Sequence, residues 1–422
     1  MQASTLTYLF VFALIIGVVL RIWLAMRQLR HVAAHRAVVP AAFESSINIT
    51  AHQKAADYTT ARVRLGVVDM LVGTAVLVVL TLCSGLQWLY SLAGTWLADY
   101  PFVAQLVFFG LVIAVTGLID LPFSWYRQFH LEKRFGFNRM TPALFVGDLL
   151  KGTLIGIVIG LPLLAVVLWL MISSGNLWWL YVWLVWTAFN LVLMVLYPTV
   201  IAPRFNKFEP LPQDQLRERV EGLLNRCGFK SKGLFVMDGS KRSSHGNAYF
   251  TGFGSAKRIV FFDTLITRLN HDEIEAVLAH ELGHFKHKHV LKRMIAIFLM
   301  SFVGLAFLGW ISGQAWFYQG LGMTPGSIGY QAPALILFVL VLPVFTFPLR
   351  PIMSLMSRRD EFEADAFAAQ QTSANHLITA LVKLYEDNAS TLTPDYLHSA
   401  FYDSHPPASE RIGRLRLVAN PG

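Results

Sequence analysis

Cysteine is scarce in this sequence: only Cys83 and Cys227 occur among 422 residues. Cys83 lies inside an apolar run and Cys227 in a polar segment, so we do not expect a disulfide between them. This scarcity excludes a disulfide-stabilised extracellular scaffold and gives no sign of an oxidising compartment. The sequence also lacks internal repeats and low-complexity stretches.

Charge is scarce as well, because charged residues make up 14% of the chain and hydrophobic residues 55%, with a mean hydropathy of +0.50. An ordinary soluble domain carries more charge than this. The apolar residues form long runs separated by polar loops, as expected where lipid surrounds helices. The composition therefore indicates an integral membrane protein with membrane lipid as a partner.

The net charge of +9 does not indicate a nucleic-acid partner. The basic residues lie in particular loops, and the sequence contains no nucleic-acid reader motif. Basic loops of this kind fix the orientation of a membrane protein and contact anionic lipid. We therefore expect no binding of nucleic acid.

Seven apolar runs are long enough to cross a membrane, which predicts an α-helical multi-pass fold. Their approximate limits are 6–26, 66–90, 101–123, 152–172, 177–198, 291–312 and 333–350. The first run lacks preceding basic residues and a small-residue cleavage pattern, so we interpret it as a retained helix and not as a signal peptide. The last run is short and contains Pro343 and Pro348.

Successive loops between these runs alternate between several lysine and arginine residues and none. Loop 27–65 has six such residues and loop 124–151 has five, whereas the N-terminal tail, 91–100, 173–176 and 313–332 have none. The positive-inside rule then places the N-terminus outside and both 199–290 and 351–422 in the cytoplasm.

The chain divides into four parts on this interpretation. Residues 1–198 form a five-helix transmembrane region with basic loops, 199–290 a globular catalytic segment, 291–350 a helical hairpin and 351–422 a C-terminal cytoplasmic segment. Within 199–290 we predict a helix from Asp214 to Cys227 closed by Gly228. Three strands are predicted there, with a hairpin turn at 254–257; the strands are 234–237, 247–253 and 258–262.

Arg21, Asp69 and Asp120 fall within or near the predicted spans. They could form structural pairs between helices or reach the interface. They could equally line a polar interior, because a charge in lipid is costly and usually faces a cavity. The sequence leaves these two interpretations open.

The motif His280-Glu281-Leu282-Gly283-His284 lies on a predicted helix that Asn270 and Glu273 would begin with a capping box. Histidines at i and i+4 share one helical face, so both can reach one zinc ion at about 2.0–2.1 Å. Zinc lowers the pKa of a bound water, and the adjacent Glu281 can take its proton as a general base. The same spacing arises by chance on the order of once per hundred chains, so the motif alone is not decisive. We interpret His287 and His289 as solvated or interfacial.

A catalytic zinc needs a third protein ligand and an open fourth position. Glu361 and Asp365 are i and i+4 on a predicted helix, so Glu361 could bind zinc while Asp365 holds the far nitrogen of a histidine ligand. Ala364 and Ala368 are small enough to let another helix approach. Spacing leaves two alternatives open, namely Glu363 as the ligand or an exposed acidic helix start paired with neighbouring arginines.

Four segments together resemble the type I CAAX prenyl endopeptidase family of zinc metallopeptidases, the a-factor-converting protease type. The matching segments are 240–250, the zinc helix 275–289, 357–367, and Ser404-His405-Pro406-Pro407 with Glu410 and Arg411. The resemblance covers nearly the whole chain. It implies one zinc ion per chain held by His280, His284 and Glu361, with Asp365 behind them. It also implies seven helices that enclose a chamber, with a zincin-like α+β catalytic domain.

The resemblance further implies that Asn247, His405 and Arg411 line the site. Asn247 and Arg411 would bind the substrate, Asn247 at the start of a strand that pairs with it. His405 would be catalytic, by stabilising an oxyanion or donating a proton. On the residues alone each is more readily interpreted as a turn, cap or surface residue.

We therefore expect a zinc metalloendopeptidase that acts as a monomer on peptides or proteins, including prenylated C-terminal substrates. A membrane-protein quality-control protease of the HtpX-like role is an alternative, although HtpX-type proteases have fewer spans. A non-catalytic zinc-stabilised transporter or scaffold is an alternative of another class. The predicted orientation of the loops fits a bacterial inner membrane, or the ER membrane if the source is a eukaryote.

Overall fold

A computed structural model describes residues 1–229, 231, 233–251 and 258–419 of the chain. Within these residues, seven helical stretches are long and apolar enough to cross a membrane, which confirms the predicted number. They are Ala3–His35, Ile49–Leu80, Pro101–Glu132, Pro142–Ser173, Gly175–Arg204, His289–Ile311 and Gln331–Gln371. The predicted α-helical multi-pass class is correct.

The helices of the first part are α1 Ala3–His35, α2 Ile49–Leu80, α3 Gly85–Trp96, α4 Pro101–Tyr126, α5 Pro142–Ser173 and α6 Trp178–Leu196. The catalytic segment contains β1 Phe208–Pro210, α7 Gln215–Arg226, β2 Gly233–Met237, β3 Ala248–Thr251, β4 Arg258–Phe262, α8 Asp263–Arg268 and α9 His271–Lys286. The remaining helices are α10 His289–Ile311, α11 Ala315–Gln319, α12 Gln331–Thr346, α13 Arg350–Gln371, α14 Ala374–Asp387, α15 Tyr396–Tyr402 and α16 Ala408–Ala419.

The second predicted span, 66–90, is wrong in its limits. Helix α2 begins at Ile49 and ends at Leu80, and Ser84 then adopts a left-handed conformation with φ of 60°. Gly85 follows, where a Cβ atom would lie 2.7 Å from the carbonyl oxygen of Val79. The chain therefore turns sharply before α3, although its apolar composition continues through the turn.

Helix α5 begins at Pro142, well before the predicted start at residue 152. The apolar run was cut short because Asp148 lies in the first turns of this helix. The structure explains the charge, since Asp148 accepts a hydrogen bond of 2.8 Å from the Nε of Arg242 in the catalytic segment. The helix thus extends out of the apolar bundle towards that segment.

The helix that contains the last span extends beyond the predicted limit of 350, because α12 continues into α13 through the short 3₁₀ turn Phe347–Leu349. Pro343 and Pro348 lie in this stretch. Proline removes one backbone donor, which loosens a helix without always ending it. One helical rod therefore carries the chain from the apolar bundle to Glu361.

Within the described residues, four strands form one sheet in the order β1-β2-β4-β3. Strands β2 and β4 are parallel, and β3 pairs antiparallel with β4, with Ala248 opposite Phe261. The sequence predicted β2, β3 and β4 but not the three-residue β1. The predicted turn at 254–257 and the last two residues of the predicted strand 247–253 lie outside the described residues. Because β3 is the last strand in this order, its outer edge faces away from the sheet.

The predicted helix caps in the catalytic segment are present in the structure. Asp214 caps α7, and Gly228 closes it with a φ of +70°. Asn270 and Glu273 form the predicted capping box of α9. Helix α9 is the centre of the catalytic segment, since its apolar side packs into a core with α7, the sheet and α14.

Candidate metal centre

The two motif histidines lie one turn apart on α9, with their ring centroids 4.9 Å from each other. Glu361 reaches them from α13. Its Oε2 lies 3.5 Å from the Nε2 of His280, and its Oε1 lies 3.4 Å from the Nε2 of His284. One ligand atom from each of the three residues can be chosen so that all lie within 4.8 Å of one another. The structure therefore brings together the two histidines and the predicted third residue.

The chemistry of this group fits a zinc ion. Glu361 is only 4% exposed, and its Oε2 has no hydrogen-bond partner among the described residues, although the Nη1 of Arg411 lies 3.6 Å away. A buried carboxylate oxygen is costly unless a cation or donor satisfies it. Two imidazole nitrogens and one carboxylate oxygen are a donor set that zinc accepts.

Asp365 contacts the Nδ1 of His280, the ring nitrogen that faces away from Glu361. The Oδ1 of Asp365 lies 2.8 Å from the Nδ1 of His280, so the carboxylate accepts the Nδ1–H and leaves the Nε2 lone pair for a metal. Arg411 donates to the same carboxylate twice, from Nε at 2.9 Å and from Nη2 at 2.6 Å. Burial lowers the pKa of His280, but the carboxylates of Asp365 and Glu361 outweigh it and raise the pKa to about 9.

His289 contacts the Nδ1 of His284. The sequence did not predict this contact. Their Nδ1 atoms lie 3.0 Å apart, and the Nε2 of His289 lies 3.1 Å from the Oε2 of Glu363. If His289 donates its Nε2–H to Glu363, its Nδ1 accepts from the Nδ1–H of His284. The Nε2 of His284 then carries the lone pair that a metal needs.

The prediction that His289 is solvated or interfacial is wrong, since it is 2% exposed, whereas His287 is exposed. The cause is a turn at Lys288, which adopts a φ of 57° between α9 and α10. This turn directs His289 back onto His284. A helical periodicity continued past residue 286 could not predict that direction.

The competing glutamate, Glu363, points to the other side of α13. It contacts His289, and it also accepts a hydrogen bond from the Nε of Arg359 at 3.1 Å. A second group of metal-compatible side chains, with Asp360, forms around His289 on that side. Between the two glutamates, the geometry places Glu361 beside both motif histidines.

A cavity of about 770 Å³ opens beside this centre. Its wall includes His280 and Glu281, together with the predicted residues Asn247, His405 and Arg411. Burial raises the pKa of the Glu281 carboxyl. The cavity continues to the membrane helices α1 and α2, so it connects the metal-compatible group with the apolar bundle.

His405 approaches Glu361 from the loop before α16. Its Nε2 lies 3.4 Å from the Oε1 of Glu361, and its Nδ1 lies 2.9 Å from the Oγ of Ser404. The His405 side chain is 59% exposed, so it can meet a molecule in the cavity. Arg411 differs, because its side chain is buried and engaged by Asp365.

Asn247 lies directly before β3 and is exposed to the cavity. Its Oδ1 accepts from the backbone N–H of Ala248 at 2.9 Å, which fixes the start of the strand. The outer edge of β3 therefore begins at the cavity wall.

The ionisable residues of the spans have different surroundings. Arg21 lines the large cavity, while Asp69 lines a second one of about 320 Å³ and lies 3.4 Å from the Nη2 of Arg127. Asp120 is exposed on α4. The polar-interior interpretation thus applies to Arg21, whereas Asp69 both lines a cavity and forms the structural pair of the other interpretation.

Comparisons with known proteins cover both halves of the chain. The family model described as CAAX prenyl protease N-terminal, five membrane helices, matches residues 28–207, and that of peptidase family M48 matches residues 210–419. A curated CAAX prenyl protease 1 homolog of Arabidopsis thaliana is 38% identical over 78% of each chain. CAAX prenyl protease 1 of Saccharomyces cerevisiae is 39% identical over 75% of this chain and 73% of its own. The crystal structure of S. mikatae Ste24p is similar with a TM-score of 0.90 and 31% identity, over 97% of this chain and 99% of that one.

Proposed function

Because the chain belongs to the M48 peptidase family, we propose that one zinc ion per chain is held by His280, His284 and Glu361. The chain is an integral multi-pass membrane metalloendopeptidase, and the non-catalytic transporter or scaffold is not favoured. The observation that carries the ligand assignment is the buried Glu361 carboxylate between the two imidazole nitrogens. Asp365 and His289 orient the two histidines, and Arg411 holds Asp365 in place.

Glu281 acts as the general base. When bound, zinc acts as a Lewis acid and makes water a nucleophile near neutral pH. Glu281 lies next to the first histidine and lines the cavity, where its carboxylate can take a proton from the attacking water. The same carboxyl then returns the proton to the amine of the leaving peptide.

His405 stabilises the oxyanion that forms on the scissile carbonyl. It is exposed to the cavity on the same side as Glu361, and the contact with Ser404 fixes one ring nitrogen. A donor aimed at developing negative charge is the most effective kind of electrostatic catalysis.

The substrate binds as an extended strand against the outer edge of β3. Asn247 lies at the start of this edge, and Ala248 also lines the cavity. Backbone hydrogen bonds along a sheet edge hold a peptide with little dependence on its side chains. Glu281 lines the same cavity as the start of this edge.

The substrate class is a peptide whose C-terminal region carries a prenyl group. The relatives named CAAX prenyl protease 1 support this choice over a quality-control protease. The cavity also supports it, because it joins a polar catalytic wall to α1 and α2 of the apolar bundle. We propose that the protein acts as a monomer, since the cavity and the metal-compatible group are complete within one chain.

The catalytic segments face the cytoplasm in this proposal. Arg242 of the catalytic segment contacts Asp148, at the end of one of the two basic loops, which supports a common side. The bacterial inner membrane, or the ER membrane in a eukaryote, and the division of the chain at residues 198, 290 and 350 stay predictions.

The test is Glu281→Gln, assayed with prenylated and unprenylated versions of one peptide, with and without a chelator. We expect the variant to keep one zinc per chain and to lose about 100- to 10,000-fold in kcat. Full activity in this variant would refute the assigned chemistry. Equal cleavage of both peptides by the wild-type protein would favour the quality-control role.

A further inference from the structure

Arg21 occupies a junction in the membrane part of the molecule. It lies on α1, and its side chain lines both the cavity of about 770 Å³ and the neighbouring one of about 320 Å³. Gly66 and Met70 of α2 line both cavities as well. Arg21 therefore stands where the catalytic cavity meets a smaller cavity inside the apolar bundle.

The charge of Arg21 is not neutralised within the described part of the chain. Its Nε is buried without a hydrogen-bond partner there, and no described carboxylate forms an ion pair with it. Its guanidinium carbon lies 4.2 Å from the ring centroid of Phe347, so the aromatic ring fixes the orientation of the group. An uncompensated guanidinium in a membrane span is costly, which points to a function.

The other arginines of the large cavity are occupied differently. Arg411 donates hydrogen bonds from its Nε and its Nη2 to the carboxylate of Asp365. Arg62 is exposed, with its guanidinium carbon 5.5 Å from the ring centroid of Tyr58. Arg21 is thus the better candidate for an anionic ligand that enters the cavity.

The ligand chemistry follows from the shape of a guanidinium group and the size of the cavity. Guanidinium donors match a carboxylate in a bidentate arrangement. A sphere of the larger cavity's volume is about 11 Å across, while three extended residues span about 10 Å. Glu281 and Arg21 both line this cavity, so it has room for a peptide end of about three residues beside both side chains.

We propose that Arg21 binds the free C-terminal carboxylate of the peptide substrate. The inference rests on the proposed peptidase function and deepens it, because a fixed carboxylate site sets how far from the chain end the bond is cut. A peptide that lacks this carboxylate loses the contact and leaves the guanidinium unpaired in the occupied cavity.

The experiment compares one prenylated peptide with a free C-terminal carboxylate and the same peptide with a C-terminal amide. We expect the wild-type protein to prefer the acid by about 10- to 100-fold in kcat/KM, as for hydrogen bonds to charged groups. Arg21→Gln should lower the value for the acid to that for the amide, without changing the amide. Arg21→Lys should keep part of the preference. Arg30→Gln, an exposed arginine on the same helix, should keep all of it.

Three results would overturn this assignment while leaving the peptidase function intact. These are equal cleavage of acid and amide by the wild type, an equal loss for both peptides in Arg21→Gln, and loss of the preference in Arg62→Gln alone. A wild-type protein that cleaves neither peptide would overturn the proposed function, and the role of Arg21 with it.

Discussion

Gly283 on α9 and Ala364 on α13 touch so closely that a Cβ atom on Gly283 would lie 2.8 Å from the Cα of Ala364. Ala364 and Ala368 are fully buried, and the close approach at Ala364 agrees with the prediction that these small residues let another helix come near. Gly283 lies directly before His284, and Ala364 lies three residues after Glu361. The absence of a side chain at residue 283 therefore sets the distance between the imidazoles and the carboxylate.

We expect Gly283→Ala to force α9 and α13 apart, because backbone atoms cannot give way as a flexible side chain can. Overpacking of this kind costs about 1–3 kcal/mol. The variant should unfold at a lower temperature in detergent and bind zinc more weakly. The matched control is Gly413→Ala on α16, where a Cβ atom meets nothing within 4 Å. An unchanged zinc affinity in Gly283→Ala would contradict the role given to this contact.

His289→Ala should weaken zinc binding by about 10- to 100-fold, because His284 loses the partner that fixes its tautomer. Competition with a chelating indicator measures this affinity. His287→Ala is the matched control, since His287 is exposed and two residues away. If both variants bind zinc as the wild type does, His289 has no positioning role.

Zinc binding by the chelator-stripped protein should depend on pH through His280. Carboxylates raise the pKa of its imidazole to about 9 against the effect of burial, so the metal-free side chain is protonated below that pH. Zinc requires the neutral imidazole, so binding releases this proton and the apparent affinity rises with pH up to about 9. Calorimetry in buffers of different ionisation enthalpy counts the protons. No proton release at pH 7 would contradict the geometry of the pair with Asp365.

His405→Ala should lower kcat by about 100- to 1,000-fold, since one oxyanion donor is lost. The zinc content should stay at one per chain because His405 is not a ligand in this proposal. Steady-state kinetics and metal analysis of the same preparation test both points. Loss of the zinc would instead identify His405 as a ligand.

Local features of the fold were predictable from the sequence, whereas features that depend on turns and packing were not. The capping box of Asn270 and Glu273 and the closing turn at Gly228 involve neighbours in the chain, so spacing was enough. The end of α2 at Leu80 was missed because the turn that follows contains no charged residue and no proline to mark it.

Much of the candidate site was predictable for the same reason, since His280, Glu281 and His284 form one short motif. Spacing could not separate Glu361 from Glu363, because only the packing of α13 on α9 decides which carboxylate faces the histidines. The place of His289 depends on the left-handed turn at Lys288, a conformation that the sequence does not signal for lysine.

Metal analysis of Glu361→Ala beside Glu363→Ala tests whether Glu361 is the third zinc ligand, because the two glutamates are neighbours on one helix and only one faces the motif histidines. We predict about one zinc per chain in the wild type and in Glu363→Ala at saturating zinc, and almost none in Glu361→Ala. A full zinc content in Glu361→Ala would show that Glu361 is not a zinc ligand.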